Sequence, residues 1–204
     1  MAKRFFDNEN LAWKPFGYVA DVLLLSLIWV LCSIPAVTLG AASCAIYDST
    51  VHGIRRGERE MYARFKRTFK AEMKHGIFST LLWGVVIALY VLACRKLGAF
   101  APEGKSSLVL EGAAVCLLAL IVGTALWSFA LQSRFTAPFG ALQSNAVRIA
   151  LAHPIRTLAA GAAALAGAFI TVRLVAPAIF LPGLAAVWCS YMFEPVIAKI
   201  KTSG

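Results

Sequence analysis

The 204-residue chain is 60% hydrophobic and only 15% charged, and it carries a formal net charge of +10. This composition is too apolar for an ordinary soluble domain and indicates a protein whose solvent is the lipid bilayer. The positive charge does not indicate nucleic-acid binding, because no zinc-finger or RNA-binding signature accompanies it and most of it lies in short links between apolar segments.

Six apolar segments of roughly 16 to 24 residues predict six transmembrane α-helices, since crossing ~30 Å of hydrocarbon takes about 20 apolar residues. They cover residues 17–34, 36–51, 76–94, 108–131, 157–175 and 179–196. The expected fold is an all-α polytopic bundle in one integral membrane domain, 1–204. The basic start at Lys3 and Arg4 is not interpreted as a cleaved signal peptide, because the apolar run begins too late.

A sharp turn joins the first two segments. Pro35 ends the first helix by removing a backbone donor, Thr38 can cap the next helix, and Gly40 permits the close approach of another backbone. Segment 36–51 is therefore either the second arm of a tight hairpin or a re-entrant piece packed inside the protein, which would leave five spans. A turn at membrane depth could also line a binding site, as broken helices do in transporters.

The link between the second and third segments predicts a basic amphipathic helix. Its apolar residues recur at helical spacing: Tyr62, Phe65, Phe69 and Met73. Basic residues, Lys70 among them, lie between these positions. We expect the apolar stripe to sink to the headgroup boundary and each basic residue to gain about 1 kcal/mol from anionic lipid. The alternative is a solvated loop whose charges only fix the topology.

The link between the fourth and fifth segments has the same plan in weaker form. Pro138 can start a helix. The apolar face of that helix would contain Phe139, Leu142, Ala146 and Ile149. Arg134 precedes this helix, and His153 follows it. Both links place a basic residue five positions before a histidine and then run into an apolar span, which predicts a parallel repeat of span, surface helix and span.

Positive charge predicts the orientation, because lysines and arginines in short links remain on the cytoplasmic side. With six spans both termini are cytoplasmic, and of the 20 basic residues only Arg95, Lys96, Lys105 and Arg173 fall on the outer side. If the second segment does not cross, the same rule places the N-terminus outside.

Ionisable residues inside apolar segments are costly in a membrane and are therefore candidates for a functional site. Asp21, Asp48 and Glu194 fall near the inner face, whereas Glu111 and Arg173 fall near the outer face, where they could pair. The fifth segment is rich in alanine and glycine, which predicts close packing within the bundle or with another protein.

The histidines and cysteines predict no metal, cofactor or catalytic site. The five cysteines have no paired spacing, and His52, His75 and His153 belong to no HExxH pair or other catalytic motif. Solvated interfacial histidines are favoured over a proton or metal site, and we do not expect an enzyme.

One motif carries a family resemblance. An apolar helix with Asp21 and Trp29 leads into residues Ser33 to Ala42, which read SIPAVTLGAA, and the next helix contains Ala45-Ile46-Tyr47. This pattern resembles the YesL family of bacterial membrane proteins. Members often carry an asparagine in the first helix, where this chain has Leu25 and Ser26.

The resemblance extends through the link at Phe65 to Lys74, the Arg134-Phe135 pair and His153. It implies a compact multi-helix protein of the bacterial cytoplasmic membrane, from a cluster often associated with carbohydrate uptake and breakdown. It implies no reaction and no catalytic residue.

The expected function is that of an accessory or regulatory subunit of an ABC-type carbohydrate importer. Its partners would be permease subunits and anionic lipid headgroups, and a homo-oligomer is compatible with the sequence. The candidate functional or partner-contact residues are Asp21, Pro35, Thr38, Gly40, Phe65, Phe69, Lys70, Arg134, His153 and Glu194. The alternative is a stand-alone small-solute transporter or channel whose path lies between the two repeats.

Overall fold

The computed structural model describes residues 19–58, 60–98, 105–173 and 180–202, and this part of the chain is helical with no strand. Its α-helices are α1 (Val19–Cys32), α2 (Leu39–Thr50), α3 (Met61–Ala71), α4 (Met73–Gly98), α5 (Lys105–Gln132), α6 (Phe139–Ala152), α7 (Pro154–Arg173) and α8 (Leu181–Thr202). A 3₁₀ turn, Ala36–Thr38, precedes α2, and a π-helical turn, Val51–Arg55, follows it.

Four helices are long and apolar enough to cross a membrane. The candidate spans are Met73–Lys96, Leu108–Gln132, Pro154–Arg173 and Leu181–Lys199, in α4, α5, α7 and α8. They correspond to the last four predicted segments. Large apolar side chains such as Leu89 and Phe169 are exposed on them, as expected of helices that face lipid. The all-helical membrane bundle is therefore supported, with four candidate spans among the described residues where six were predicted.

Within the described residues, the first two predicted spans are not among the candidate membrane-spanning helices. The described part of α1 begins at Val19, and α2 has only 12 residues, against the roughly 20 needed for a crossing. Ten residues of α2 are buried, and the helix packs against α3, α4, α5 and α8. Small residues at its start let these helices close around it. Segment 36–51 is thus packed inside the protein, which was the second of the two predicted arrangements.

The turn before α2 is closed by the side chain of Thr38, the last residue of the turn. Pro35 precedes the 3₁₀ turn as predicted, but the Thr38 hydroxyl does not cap α2; it donates to two carbonyls of the preceding turn, at 2.5 and 2.7 Å. The backbone N–H of Gly40 donates to the Thr80 hydroxyl at 2.8 Å, and a Cβ at Gly40 would collide with the Gly76 carbonyl. The predicted close backbone approach at Gly40 is confirmed, and it joins α2 to α4.

The two links form helices that run almost directly into the next span. Glu72 separates α3 from α4, and His153 separates α6 from α7. Beyond each junction a threonine hydroxyl, of Thr80 or Thr157, donates to the carbonyl four residues earlier and accepts a hydrogen bond from another helix. The predicted plan of a helix leading into a span is therefore confirmed at both links.

Close packing of α5 against α7 forms the centre of the bundle. A Cβ at Gly161 would collide with the Ala119 carbonyl, and one at Gly123 would collide with the Thr157 carbonyl. The small residues of α7 thus serve contact within the bundle, one of the two predicted uses. Beside this pair, the rings of Trp127 and Phe193 stack at 3.8 Å between centroids in the largest apolar cluster.

Candidate functional site: a buried charge network

The carboxylate of Asp48 lies where α2 faces α3. Asp48 is 4% exposed, and its Oδ2 accepts hydrogen bonds from the Thr68 hydroxyl at 2.9 Å and from Arg64 Nη1 at 3.3 Å. Arg64 and Thr68 are four residues apart on α3, so both point from one helix face towards α2. Three groups therefore meet where an unpaired charge would be strongly disfavoured.

A second ion pair extends the cluster to α5 and α8. The Arg134 side chain is 6% exposed, and its Nη2 and Nε donate to Glu194 Oε1 at 2.7 and 3.0 Å. Arg134 Nη1 also lies 3.9 Å from Asp48 Oδ1. The hydroxyl of Tyr47 donates to Glu194 at 3.4 Å. We call Asp48, His52, Arg64, Arg134 and Glu194 the charge network.

His52 connects the two ion pairs, and its contacts favour one tautomer of the neutral ring. Its Nδ1 lies 3.0 Å from Asp48 Oδ1, while its Nε2 lies 3.1 Å from Arg56 Nη1 and 3.5 Å from Arg134 Nη1. A guanidinium group can only donate, so Nε2 accepts and the proton of a neutral ring is on Nδ1.

A neutral network of amides and hydroxyls lies between α4, α5 and α6. Gln132 and Gln143 both donate to the Ser79 hydroxyl, Gln143 at 2.8 Å. The indole N–H of Trp83 is shared between Ser128 Oγ and Gln143 Oε1, at 3.1 Å each. These side chains are at most 9% exposed. We call them the amide network. Their mutual hydrogen bonds offset the cost of burying polar groups in the bundle.

An open cavity of about 280 Å³ lies beside the α3–α4 junction. It is lined by Glu72, His75, Phe135, Thr136, Ala137, Pro138 and Leu142. Burial raises the pKa of the Glu72 carboxyl, and His75, at 3.7 Å, partly opposes this shift. Across the residues that the structure describes, no group of three or more His, Cys, Asp or Glu side chains could hold a metal ion.

The predicted candidate residues are divided among separate places. Arg134 and Glu194 meet in the charge network, whereas Pro35, Thr38 and Gly40 form the turn before α2.

Three further candidates lie elsewhere. Asp21 accepts a hydrogen bond from the Tyr62 hydroxyl at 3.0 Å, and burial together with this bond raises the pKa of Tyr62 to about 12. Lys70 is exposed on the outer side of α3, and the His153 carbonyl accepts a hydrogen bond from Thr157 at the start of α7.

The apolar stripe of α3 was predicted to enter lipid, but it packs against other helices of the protein. Phe65 is 3% exposed, stacks on Phe69, and lies in an apolar cluster with Leu25 and Ala45. The difference arises because α1 and α2 offer a nearer apolar surface than the bilayer does. The predicted pairing of Glu111 with Arg173 also fails, since both are exposed and Arg173 lies over the ring of Phe169 on its own helix.

The site contains residues that the sequence candidates omitted. The sequence marks Asp48 as an ionisable candidate near the inner face and His52 as an interfacial histidine, but neither is among the final candidates, and Arg64 and Thr68 are not singled out. The available signal was spacing, since each pair is four residues apart on a helix and presents its polar groups on one face. Nothing local indicated that the two faces meet.

The fold and the site together define a helical membrane protein with a buried ionic cluster at one end of its bundle. Residues 22–93 match a family described as a protein of unknown function, DUF624. This segment, about a third of the chain, includes Asp48, His52 and Arg64 but neither Arg134 nor Glu194. No curated protein and no solved structure matches the chain.

Proposed function

We propose that this protein is an accessory or regulatory subunit of the bacterial cytoplasmic membrane that assists an ABC-type carbohydrate importer. The link to carbohydrate uptake rests on the resemblance to the YesL family, and the match to a family of unknown function is compatible with it. The proposed role is not enzymatic, because neither the sequence motifs nor the resemblance implies a catalytic residue.

The proposed topology has four spans, both termini in the cytoplasm, and the α1–α2 hairpin on the cytoplasmic side. Asp21, near the start of α1, bonds to Tyr62 at the start of α3, and Asp48, near the end of α2, bonds to Arg64. The start of α1 and the end of α2 thus lie at the same end of the bundle. This supports an N-terminus on the same side as the basic link before α4.

The contact surface for the importer is the outer face of α3. The cations on this side are exposed, and none of them pairs with a carboxylate in the described residues: Lys66, Arg67 and Lys70 of α3 and Lys74 in the first turn of α4. The opposite face of α3 is fixed by Phe65 and by the bonds of Arg64 and Thr68 to Asp48. A rigid, unpaired basic face is the observation that carries the proposal, because it fits an acidic surface on a partner subunit.

Purification of the tagged protein from its native membrane in mild detergent tests this role. We expect importer subunits to accompany the wild-type protein and to be lost from the double variant Lys66→Glu/Lys70→Glu. The matched control is Arg95→Glu/Lys96→Glu at the other end of α4, which should retain them. Recovery of no importer component, together with unchanged carbohydrate uptake on deletion, would refute the proposal.

The amide network favours a second candidate, a stand-alone transporter or channel. Buried polar groups between membrane helices often mark a solute path, and Gln132 and Gln143 lie between candidate spans and α6. Solute flux into liposomes that contain only this protein would support this function. Flux that is absent, or unchanged in Gln132→Leu, would exclude a path through the amide network.

A further inference from the structure

Helix α6 has two apolar faces, although it lies between candidate spans rather than in one. Leu142, Ala146 and Ala150 are at most 4% exposed and pack in the largest apolar cluster of the bundle. The same helix sends Gln143 into the amide network. One face of α6 is therefore fully used by contacts within the protein.

The other face is apolar and uncovered. Val147 is 42% exposed, and Leu151 and Ile155, on either side of the α6–α7 junction, are 76% and 83% exposed. Three large aliphatic side chains this open to water are unfavourable in a soluble setting. The exposed side chains continue into α7, a candidate span whose outer residues include Phe169. The surface that would cover α7 would therefore also cover the junction of α6 and α7. We call this junction, with Val147, Leu151 and Ile155, the α6–α7 corner.

Positive charge adjoins the apolar corner without local compensation. Arg148 is exposed and Arg156 is half-buried, and neither pairs with a carboxylate in the described residues. The sequence contains no aspartate or glutamate between Glu111 and Glu194. The neutralising anion must therefore come from outside this stretch of the chain.

We propose that the α6–α7 corner binds anionic lipid at the membrane interface. Val147, Leu151 and Ile155 insert below the headgroups, while Arg148 and Arg156 bind lipid phosphates. Aliphatic groups beside cations at the end of a span fit this boundary, where acyl chains meet phosphate. This inference goes beyond the proposed function and does not require an importer.

Spin-label accessibility in lipid nanodiscs tests the insertion. The full chain, with its native cysteines replaced, carries a label at Leu151→Cys or, as the matched control, at Lys66→Cys on the outer face of α3. In discs of phosphatidylethanolamine and phosphatidylglycerol, we expect the label at 151 to collide mainly with oxygen, which dissolves in lipid. The label at 66 should collide mainly with a water-soluble nickel chelate.

Lipid selectivity tests the arginines. The purified wild-type protein should retain phosphatidylglycerol over phosphatidylcholine, and Arg148→Gln/Arg156→Gln should lower this preference by about 25-fold, since each of the two basic side chains contributes roughly fivefold. The control Arg95→Gln/Lys96→Gln should keep the preference.

Three results would overturn the proposal. The first is a label at 151 that is as accessible to nickel as the label at 66. The second is an unchanged lipid preference in the double variant. The third is protection at 151 that rises with protein concentration and persists in detergent, which would assign the corner to a second copy of the chain.

Discussion

Helices α3 and α6 occupy equivalent places in the chain, each leading into a span, yet they use their apolar residues in opposite ways. The aromatic stripe of α3 faces inward, and its outer face is basic. In α6 the inward face is built of smaller residues such as Ala146, while larger aliphatic residues such as Leu151 face outward. Only α3 is held by an ionic contact, through Arg64 and Asp48.

An amphipathic pattern indicates that the apolar face of a helix is covered. It does not indicate whether protein or lipid covers that face. The apolar stripe of α3 is covered by α1 and α2, and the outer stripe of α6 is not covered by the described part of the chain. The difference depends on the neighbours that the rest of the chain supplies. Substitutions on each helix can therefore test the contrast separately.

The largest expected loss of stability follows from removing the ionic contact that holds α3 against α2. Asp48→Asn leaves the half-buried Arg64 and the buried Arg134 without one of their carboxylates, so the free energy of unfolding should fall by about 3–5 kcal/mol. Denaturation in mixed micelles measures this change. The matched control is Glu58→Gln, which removes the exposed partner of the same Arg64 at 2.9 Å and should cost less than about 1 kcal/mol. Equal effects would show that α3 is not anchored through Asp48.

The next largest effects come from truncating one apolar side chain on each helix, which should destabilise the protein much more on α3 than on α6. Phe65→Ala on α3 should lower the free energy of unfolding in detergent by about 3 kcal/mol, because a ring that is 3% exposed leaves a cavity. Leu151→Ala on α6 should change it by no more than about 0.5 kcal/mol, since the side chain is 76% exposed. A large loss for Leu151→Ala in dilute detergent would contradict the assignment of its face to lipid.

Part of this contrast can be read from the sequence. The spacing of Phe65 and Phe69 predicts the α3 helix, and that of Leu142 and Ala146 correctly gives one apolar face of α6. The periodicity of these positions predicts a single apolar face on each helix, so it does not indicate the outer position of Leu151. In both helices the local pattern fixes the periodicity and the tertiary neighbours decide the orientation.

The functional site was less predictable than the helices. Glu194 is a candidate because ionisable groups in membrane segments are costly, and Arg134 is one through the family resemblance of the Arg134-Phe135 pair, but the two are 60 positions apart in sequence. Their contact requires the packing of α8 beside the end of α5. A single sequence contains no local signal for such a pairing, and none for the meeting of Asp48 with Arg64.

The smallest expected effect on stability concerns Glu72. This residue lies between α3 and α4, beside the link that leads to α6. Burial raises the pKa of Glu72, so the folded state binds its proton more tightly than the unfolded state does. The resulting stabilisation is present at acid pH and is lost as the pH rises through the raised value, which leaves wild type at a small disadvantage at neutral pH.

Glu72→Gln should therefore raise stability at pH 7 by less than about 1 kcal/mol, because water screens the partly exposed carboxylate. The gain should disappear at about pH 4, where the wild-type carboxyl is protonated. Thermal unfolding at the two pH values measures it. A loss at pH 7 would show that the contact with His75 outweighs burial.

The contact of Arg134 with Glu194 has a consequence for the order of synthesis. The guanidinium group that links α5 to the end of α2 is made 60 residues before its carboxylate, which lies on the last helix. Until α8 has entered the bundle, the arginine has only the longer contact with Asp48, at 3.9 Å, to offset its burial. A chain that ends before Glu194 therefore lacks the 2.7 Å partner of Arg134, and we expect such a product to be less stable than the finished chain.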